Sequence, residues 1–229
     1  MKVKMMTMIK RLLLLFLLIL FAGSCYSQDD DFGIWIGVDA THKLVKKLDA
    51  EISGCVRTFN NTSKIEQSFL EAGIQYDLNK YFSLSGSYRI TSNLEDDSKY
   101  YFRHKIFLDA KASIPLGNFS FSGRARLQRT TKTYIEDEED LIAGYFGRLK
   151  IKADYYIPSS PLKPYIYCEP FIPISPDSGH KISKNRLSAG FQLRITSKSS
   201  LDAGYIFQRD YQPKMADENI LSIAYKLKF

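Results

Sequence analysis

Beyond its first 22 residues the chain has no long apolar run. A helix crossing a bilayer needs about 20 apolar residues in a row, so the remainder offers no helical membrane span. Histidine and cysteine are scarce, three of each, and no two share a spacing that brings them onto one metal site. No metal ligand and no cofactor-binding residue is assigned. His42 falls in a predicted tight turn, His180 in a long loop, and His104 on an apolar strand face. A hydrolase would need a serine with a histidine base in reach, and these positions form no such dyad, so no catalytic residue is assigned either. The chain also lacks a Pro/Gly/Ser-rich linker, which argues for one folded domain. It lacks any sustained helical period after the first residues, which excludes a helical fold.

What is present at the start is an export signal. Lys2, Lys4, Lys10 and Arg11 precede an apolar run of 11 residues from Leu12 to Ala22, followed by Gly23 and Ser24. The expected boundaries are a signal peptide over 1–27 and a mature domain over 28–229. Cleavage near Ser27 is favoured over lipidation of Cys25, because Ala22 stands where a lipoprotein signal carries a larger aliphatic residue. Loss of residues 1–27 removes four positive charges and no negative ones, lowering the net charge from +7 to +3. Part of the basic character therefore belongs to the signal, and an exported chain meets no nucleic acid. Cys55 and Cys168 are expected on opposite faces, inward and outward, which argues against a disulfide.

The mature chain alternates apolar and polar residues at period two, segment after segment. Phe82, Leu84, Gly86, Tyr88 and Ile90 share one face against Ser83, Ser85, Ser87, Arg89 and Thr91. Phe119 to Gln128 and Leu187 to Ile195 repeat the pattern. Eleven segments can be counted, starting near Phe32, Leu48, Ser68, Phe82, Phe102, Phe119, Gly144, Leu162, Leu187, Leu201 and Ile220. Bacterial single-chain barrels normally have even strand numbers, so ten or twelve strands are expected. Either Phe32 to Thr41 does not close the wall as an ordinary strand, or a long segment such as Tyr100 to Ile114 hides a break. Connections alternate between tight ones and longer ones, which fits periplasmic turns and outer loops.

Alternation alone also describes a soluble sandwich that binds sugar or lipid. Two features favour an all-β, transmembrane antiparallel barrel of the outer-membrane type. Aromatic residues gather near strand ends, at Trp35, Tyr76, Tyr81, Tyr100, Tyr101, Tyr155, Tyr156, Tyr211 and Phe229, as interfacial girdles would. The last segment places Leu221, Ile223, Tyr225, Leu227 and Phe229 on one face and ends on phenylalanine, like the signal read by barrel-insertion machinery. Expected partners are that machinery, outer-membrane lipid and lipopolysaccharide, with the barrel a monomer. The acidic run Glu136–Asp140 could bridge cations to lipopolysaccharide phosphates, though a solvated loop is its simpler role.

Several pieces together resemble a family of Bacteroidetes outer-membrane proteins known only as domain of unknown function 2490. They are Asp31-Phe-Gly-Ile-Trp35, Arg124-x-Arg126-x-Gln128, Lys163-Pro-Tyr165 with Glu169-x-Phe171, Asn185-Arg-Leu187 with Gly190, and Asn219-Ile-Leu221 with Tyr225 and Phe229. Gln128 stands where the family's pattern has an acidic residue. The resemblance implies a signal peptide and an outer-membrane barrel, and it carries no activity.

Function is then to be sought on the inner face. Arg124, Arg126, Arg148, Lys150 and Lys152 lie there on two adjacent strands, with Glu71, Asp154, Glu169, Arg194 and Asp202 elsewhere on the same face. They would either attract anions or pair with one another and fill a narrow lumen. The expected function is a narrow or plugged small-solute channel or a structural barrel. The alternative is an outer-membrane enzyme acting on lipid or peptide.

Overall fold

The structure is a computed structural model that describes residues 31–95, 98–133, 143–174, 181–211 and 215–229. The segment expected to be a signal, with Cys25, the acidic run Glu136–Asp140 and His180 lie outside the described residues. Eleven strands follow one another: β1 (Asp31–Val45), β2 (Leu48–Phe59), β3 (Lys64–Asp77), β4 (Phe82–Leu94), β5 (Tyr100–Leu116), β6 (Phe119–Lys132), β7 (Gly144–Tyr155), β8 (Leu162–Pro173), β9 (Lys184–Arg194), β10 (Ser199–Asp210) and β11 (Ala216–Lys228). Each pairs with its sequence neighbours, and β1 pairs with β11 to close the barrel.

The expected strand count of ten or twelve is corrected here: there are eleven. Up-and-down connectivity with an odd number of strands makes the first and last run the same way. Closure is therefore parallel, in register from Asp31 with Glu218 to Thr41 with Lys228. That ladder serves the backbone groups of both terminal strands, so no edge is left open and an even count is not required. Neither expected reason for an even count holds: β1 is a wall strand paired on both sides, with β2 and with β11, and β5 runs unbroken through Tyr100–Leu116.

The turns at one end are short, as local chemistry allows. Lys46 and Lys47 join β1 to β2, and Gly117 with Asn118 joins β5 to β6. Gly117 takes φ +59°, which the first central position of such a two-residue hairpin demands. Thr41 and Phe229 meet at this end through the Phe229 amide, 2.9 Å from the Thr41 carbonyl. The other end carries the longer connections, although Asn60–Ser63 between β2 and β3 is only four residues. Asp31 lies there, its carboxylate accepting from the amides of Asn60 and Asn61 at 2.8 Å each.

Register fixes which side chains face in. The outer wall is apolar, with Ile36 on β1, Leu108 on β5, Leu127 on β6, Ile151 on β7 and Ile166 on β8 all left uncovered by the protein itself. The inner face is polar and buried: Asp109, Arg126, Asp154, Glu169, Arg186 and Gln208 are each more than nine-tenths covered. Tyr76, Tyr81, Tyr100, Tyr156, Tyr211 and Phe229 are exposed near strand ends as the girdle requires. Trp35 is not part of it. Its ring turns inward, 9% exposed, and packs with Ile206 and Ile220. Tyr101 also faces in, opposite Asn93. Both are corrections forced by strand parity, since Trp35 pairs with Arg57 and Tyr101 shares the face of Arg103.

Cys55 faces in and Cys168 faces out, and both are free thiols. His42 belongs to β1 rather than to a turn, and its ring lies 6.4 Å from that of Phe229. His104 is on the outer face, its Nδ1 2.5 Å from the Tyr88 hydroxyl.

Candidate functional site

At mid-height the inner face carries a belt of guanidinium groups and aromatic rings in alternation. The order of strands around the wall sets the sequence of the belt, because each contributes one inward residue at that level. Arg148 on β7 lies over Phe171 on β8 at 4.2 Å, and Arg186 on β9 lies 4.8 Å from that ring. Arg186 is also 4.8 Å from the indole of Trp35 on β1, across Ile206 and Ile220 from β10 and β11. Arg57 on β2 covers the same indole at 3.9 Å and reaches Phe69 on β3 at 5.1 Å. Arg89 on β4 lies over Phe69 at 3.6 Å and over Phe107 on β5 at 5.1 Å. Arg126 on β6 completes the circuit at 4.3 Å from Phe107.

Such stacking suits arginine. Its planar, weakly hydrated cation rests on the negative face of a ring while the N–H edge stays available for hydrogen bonds. Those edges take up carboxylates. Arg126 grips Asp109 with two bonds, Nε to Oδ1 and Nη2 to Oδ2, each 2.6 Å. Arg89 donates to Glu71 at 2.6 Å, and Ser87 adds a bond at 3.0 Å. Glu169 accepts from Arg124 and from Arg148, the latter at 2.8 Å. Charge-assisted, two-point pairs of this kind are the stronger class of hydrogen bond.

Most of the expected inner-face residues are therefore brought together in pairs. Lys152 meets Asp154 at 2.8 Å and lies over Tyr165 at 4.2 Å, while Lys150 rests 3.5 Å over the Tyr167 ring. Asp202 accepts from the Tyr165 hydroxyl at 2.7 Å and from Lys226 at 2.8 Å. Arg194 stands apart at the short-turn end, exposed, with no ion-pair partner among the described residues. Sequence reasoning places Arg89 on the polar face but misses Asp109, Arg57, Arg103, Lys105 and Arg186, and the inward turn of the four belt rings with them. Continuing the parity of Ser87 and Arg89 across β4 into β5 would have found Lys105, Phe107 and Asp109, which pair with these strands in register.

Tyr165 owes its place to two glycines. A Cβ on Gly190 would stand 2.7 Å from the Tyr165 hydroxyl, 2.5 Å from the Ala203 carbonyl oxygen and 2.7 Å from the Gly204 Cα. The last two are backbone and cannot swing aside. Gly190→Ala is expected to cost about 1–3 kcal/mol as overpacking, read as a lower urea midpoint in detergent. Gly204→Ala should cost less, because its nearest obstacle is only the movable Tyr165 hydroxyl at 2.7 Å.

Two cavities flank the belt. One of about 330 Å³ opens toward the long-loop end and includes Trp35, Arg57, Lys105, Phe107, Arg148 and Arg186 in its wall. One of about 250 Å³ lies toward the short turns, with Lys111, Arg124, Lys150 and Lys152.

A closed up-and-down β-barrel with an apolar exterior and an ion-paired, ring-stacked interior is the class these features define. The chain belongs to the family described as "Protein of unknown function (DUF2490)", which it matches over residues 32–219. No curated protein matches it in sequence. In fold it is similar to the anion-selective porin from Comamonas acidovorans at 10% identity and a TM-score of 0.40, covering 80% of this chain and 53% of the porin. It thus spans about half the length of that porin. It is also similar to the β domain of the Bordetella autotransporter BrkA at 12% identity and a TM-score of 0.44, covering 74% of this chain and 78% of that one.

Proposed function

We propose that the protein is an outer-membrane barrel whose lumen is closed at rest by its own side chains, acting as a narrow, plugged barrel rather than as an open pore. The observation that carries this is the belt itself. Its guanidinium groups stack on rings and pair with carboxylates around the wall, so the long inward side chains are tied to one another instead of standing free in an aqueous lumen. The apolar outer wall supports insertion into lipid, where water cannot satisfy an open sheet edge and only closed barrels or helices survive. The export signal expected over residues 1–27 supplies the route, and the apolar outer face of β11 supplies a surface for the insertion machinery.

Purified protein in planar bilayers is expected to show no steady conductance steps. Arg124→Ala, Arg148→Ala and Glu169→Ala combined remove a carboxylate together with both its arginines, so no uncompensated charge is left from that cluster. That triple variant is expected to open discrete steps. Steady porin-like conductance from the unaltered protein would overturn the closed-lumen reading.

A further inference from the structure

Not all of the belt's cations are neutralised. The cavity of about 330 Å³ facing the long-loop end is walled by Arg57, Arg89, Arg103, Lys105, Arg148, Lys184 and Arg186, against Glu66 and Glu218. Four of these cations have a carboxylate of their own: Arg89 with Glu71, Arg103 with Glu95, Arg148 with Glu169, and Lys184 with Asp210. Arg57, Lys105 and Arg186 have none. Arg57 donates to the neutral Gln67, at 3.0 Å, and its buried Nε has no partner among the described residues. Arg186 donates to the neutral Gln208 at 2.6 Å. Lys105 has no hydrogen-bond or ion-pair partner among the described residues. Arg57 and Arg186 both lie within 5 Å of the centre of the Trp35 ring, so two like charges, neither in an ion pair among the described residues, share a single indole.

We infer that this cavity is a binding site for a small soluble oxyanion bearing two or more negative charges, such as a phosphorylated or polycarboxylate solute. Ring faces reduce the repulsion between the two arginines, but they cannot replace a counter-charge. An oxyanion supplies one and meets the N–H edges that the stacked guanidinium groups present. The volume falls at the lower end of the range of small-ligand sites, which begins at about 300 Å³. It suits a compact solute. The barrel wall separates the cavity from the lipid face, so the ligand enters from the long-loop end and is not a membrane lipid. The inference does not rest on the lumen being closed, since conductance and binding are read separately.

Trp35 is the chain's single tryptophan and lies in the wall of this cavity, which makes it a built-in reporter. Full-length protein in detergent is titrated with pyrophosphate and, separately, with citrate, at constant ionic strength set by sodium chloride. A saturable change in Trp35 fluorescence, matched by heat in calorimetry, is the expected result with at least one of them. Which one binds assigns the oxyanion as phosphate or carboxylate. Lys105→Met removes a charge that holds no partner, so the barrel keeps its fold, which heat-modifiable migration on a gel verifies. Its affinity is expected to fall about tenfold or more, the worth of one charged hydrogen bond. Arg57→Lys keeps the charge but loses the fork and should weaken binding by less. Absence of a saturable response with both anions, or undiminished affinity in folded Lys105→Met, would overturn the site.

Discussion

Replacing Asp109 by alanine is expected to lower the unfolding free energy by about 3–5 kcal/mol, the usual cost of orphaning a buried charge. The residues concerned are among the least accessible in the protein: Asp109 is 5% exposed and Arg126 8%. Without Asp109, the Arg126 guanidinium would keep its ring contact with Phe107 but lose both of its 2.6 Å bonds. The neighbouring belt carboxylates are already engaged, Glu71 by Arg89 and Glu169 by Arg124 and Arg148. The measurement is a urea or guanidinium titration of barrel refolded into phospholipid vesicles. The double variant Asp109→Leu with Arg126→Met should recover most of the loss, since removing both partners of a buried pair is often nearly neutral. If Asp109→Ala alone were also neutral, water would reach Arg126, and the belt would be a wet lumen rather than a plug.

How far the inner face could be read from sequence follows from the same parity. Wherever a strand keeps strict alternation, as in Phe82 to Thr91 or Phe119 to Gln128, one assigned residue fixes all the others. Leu48, Phe82, Phe119, Gly144 and Leu162 are accordingly strand starts both in the sequence and in the structure. Parity was obscured where large apolar residues face inward. Trp35, Phe69, Phe107, Phe171, Ile206 and Ile220 violate the rule that the lumen side is polar, and each does so at the belt. Composition marks a ring as lipid-facing or interfacial by default, and only a partner cation on a neighbouring strand turns it inward. Those partners, such as Arg57 for Trp35, come from cross-strand register, which one strand's sequence does not contain. The strand count failed differently. Eleven segments are legible in the pattern, but the even numbers normal for such barrels point to ten or twelve, because parallel closure is a property of the assembled sheet.

Leu108→Arg is expected to cost about 2–4 kcal/mol in vesicles, because an arginine at the bilayer midplane meets hydrocarbon rather than water. Leu108 sits halfway along β5, points outward and is 60% exposed to whatever surrounds the barrel. Its cross-strand neighbours are Gly86 and Leu127, so no carboxylate lies within reach on the adjacent strands. Leu116, at the short-turn end of the same strand, is 67% exposed and equally apolar. There Leu116→Arg should cost only about 0–1 kcal/mol, since the side chain reaches the headgroups. The contrast between the two positions is the informative quantity, as both substitutions place the same charge on the same face of one strand. A soluble barrel would show no such gradient: both leucines would already face water, and an arginine at either would be neutral or favourable. Depth dependence along β5 therefore tests membrane insertion without reference to any ligand or conductance, and two similar, small effects would remove the membrane from the account of this protein.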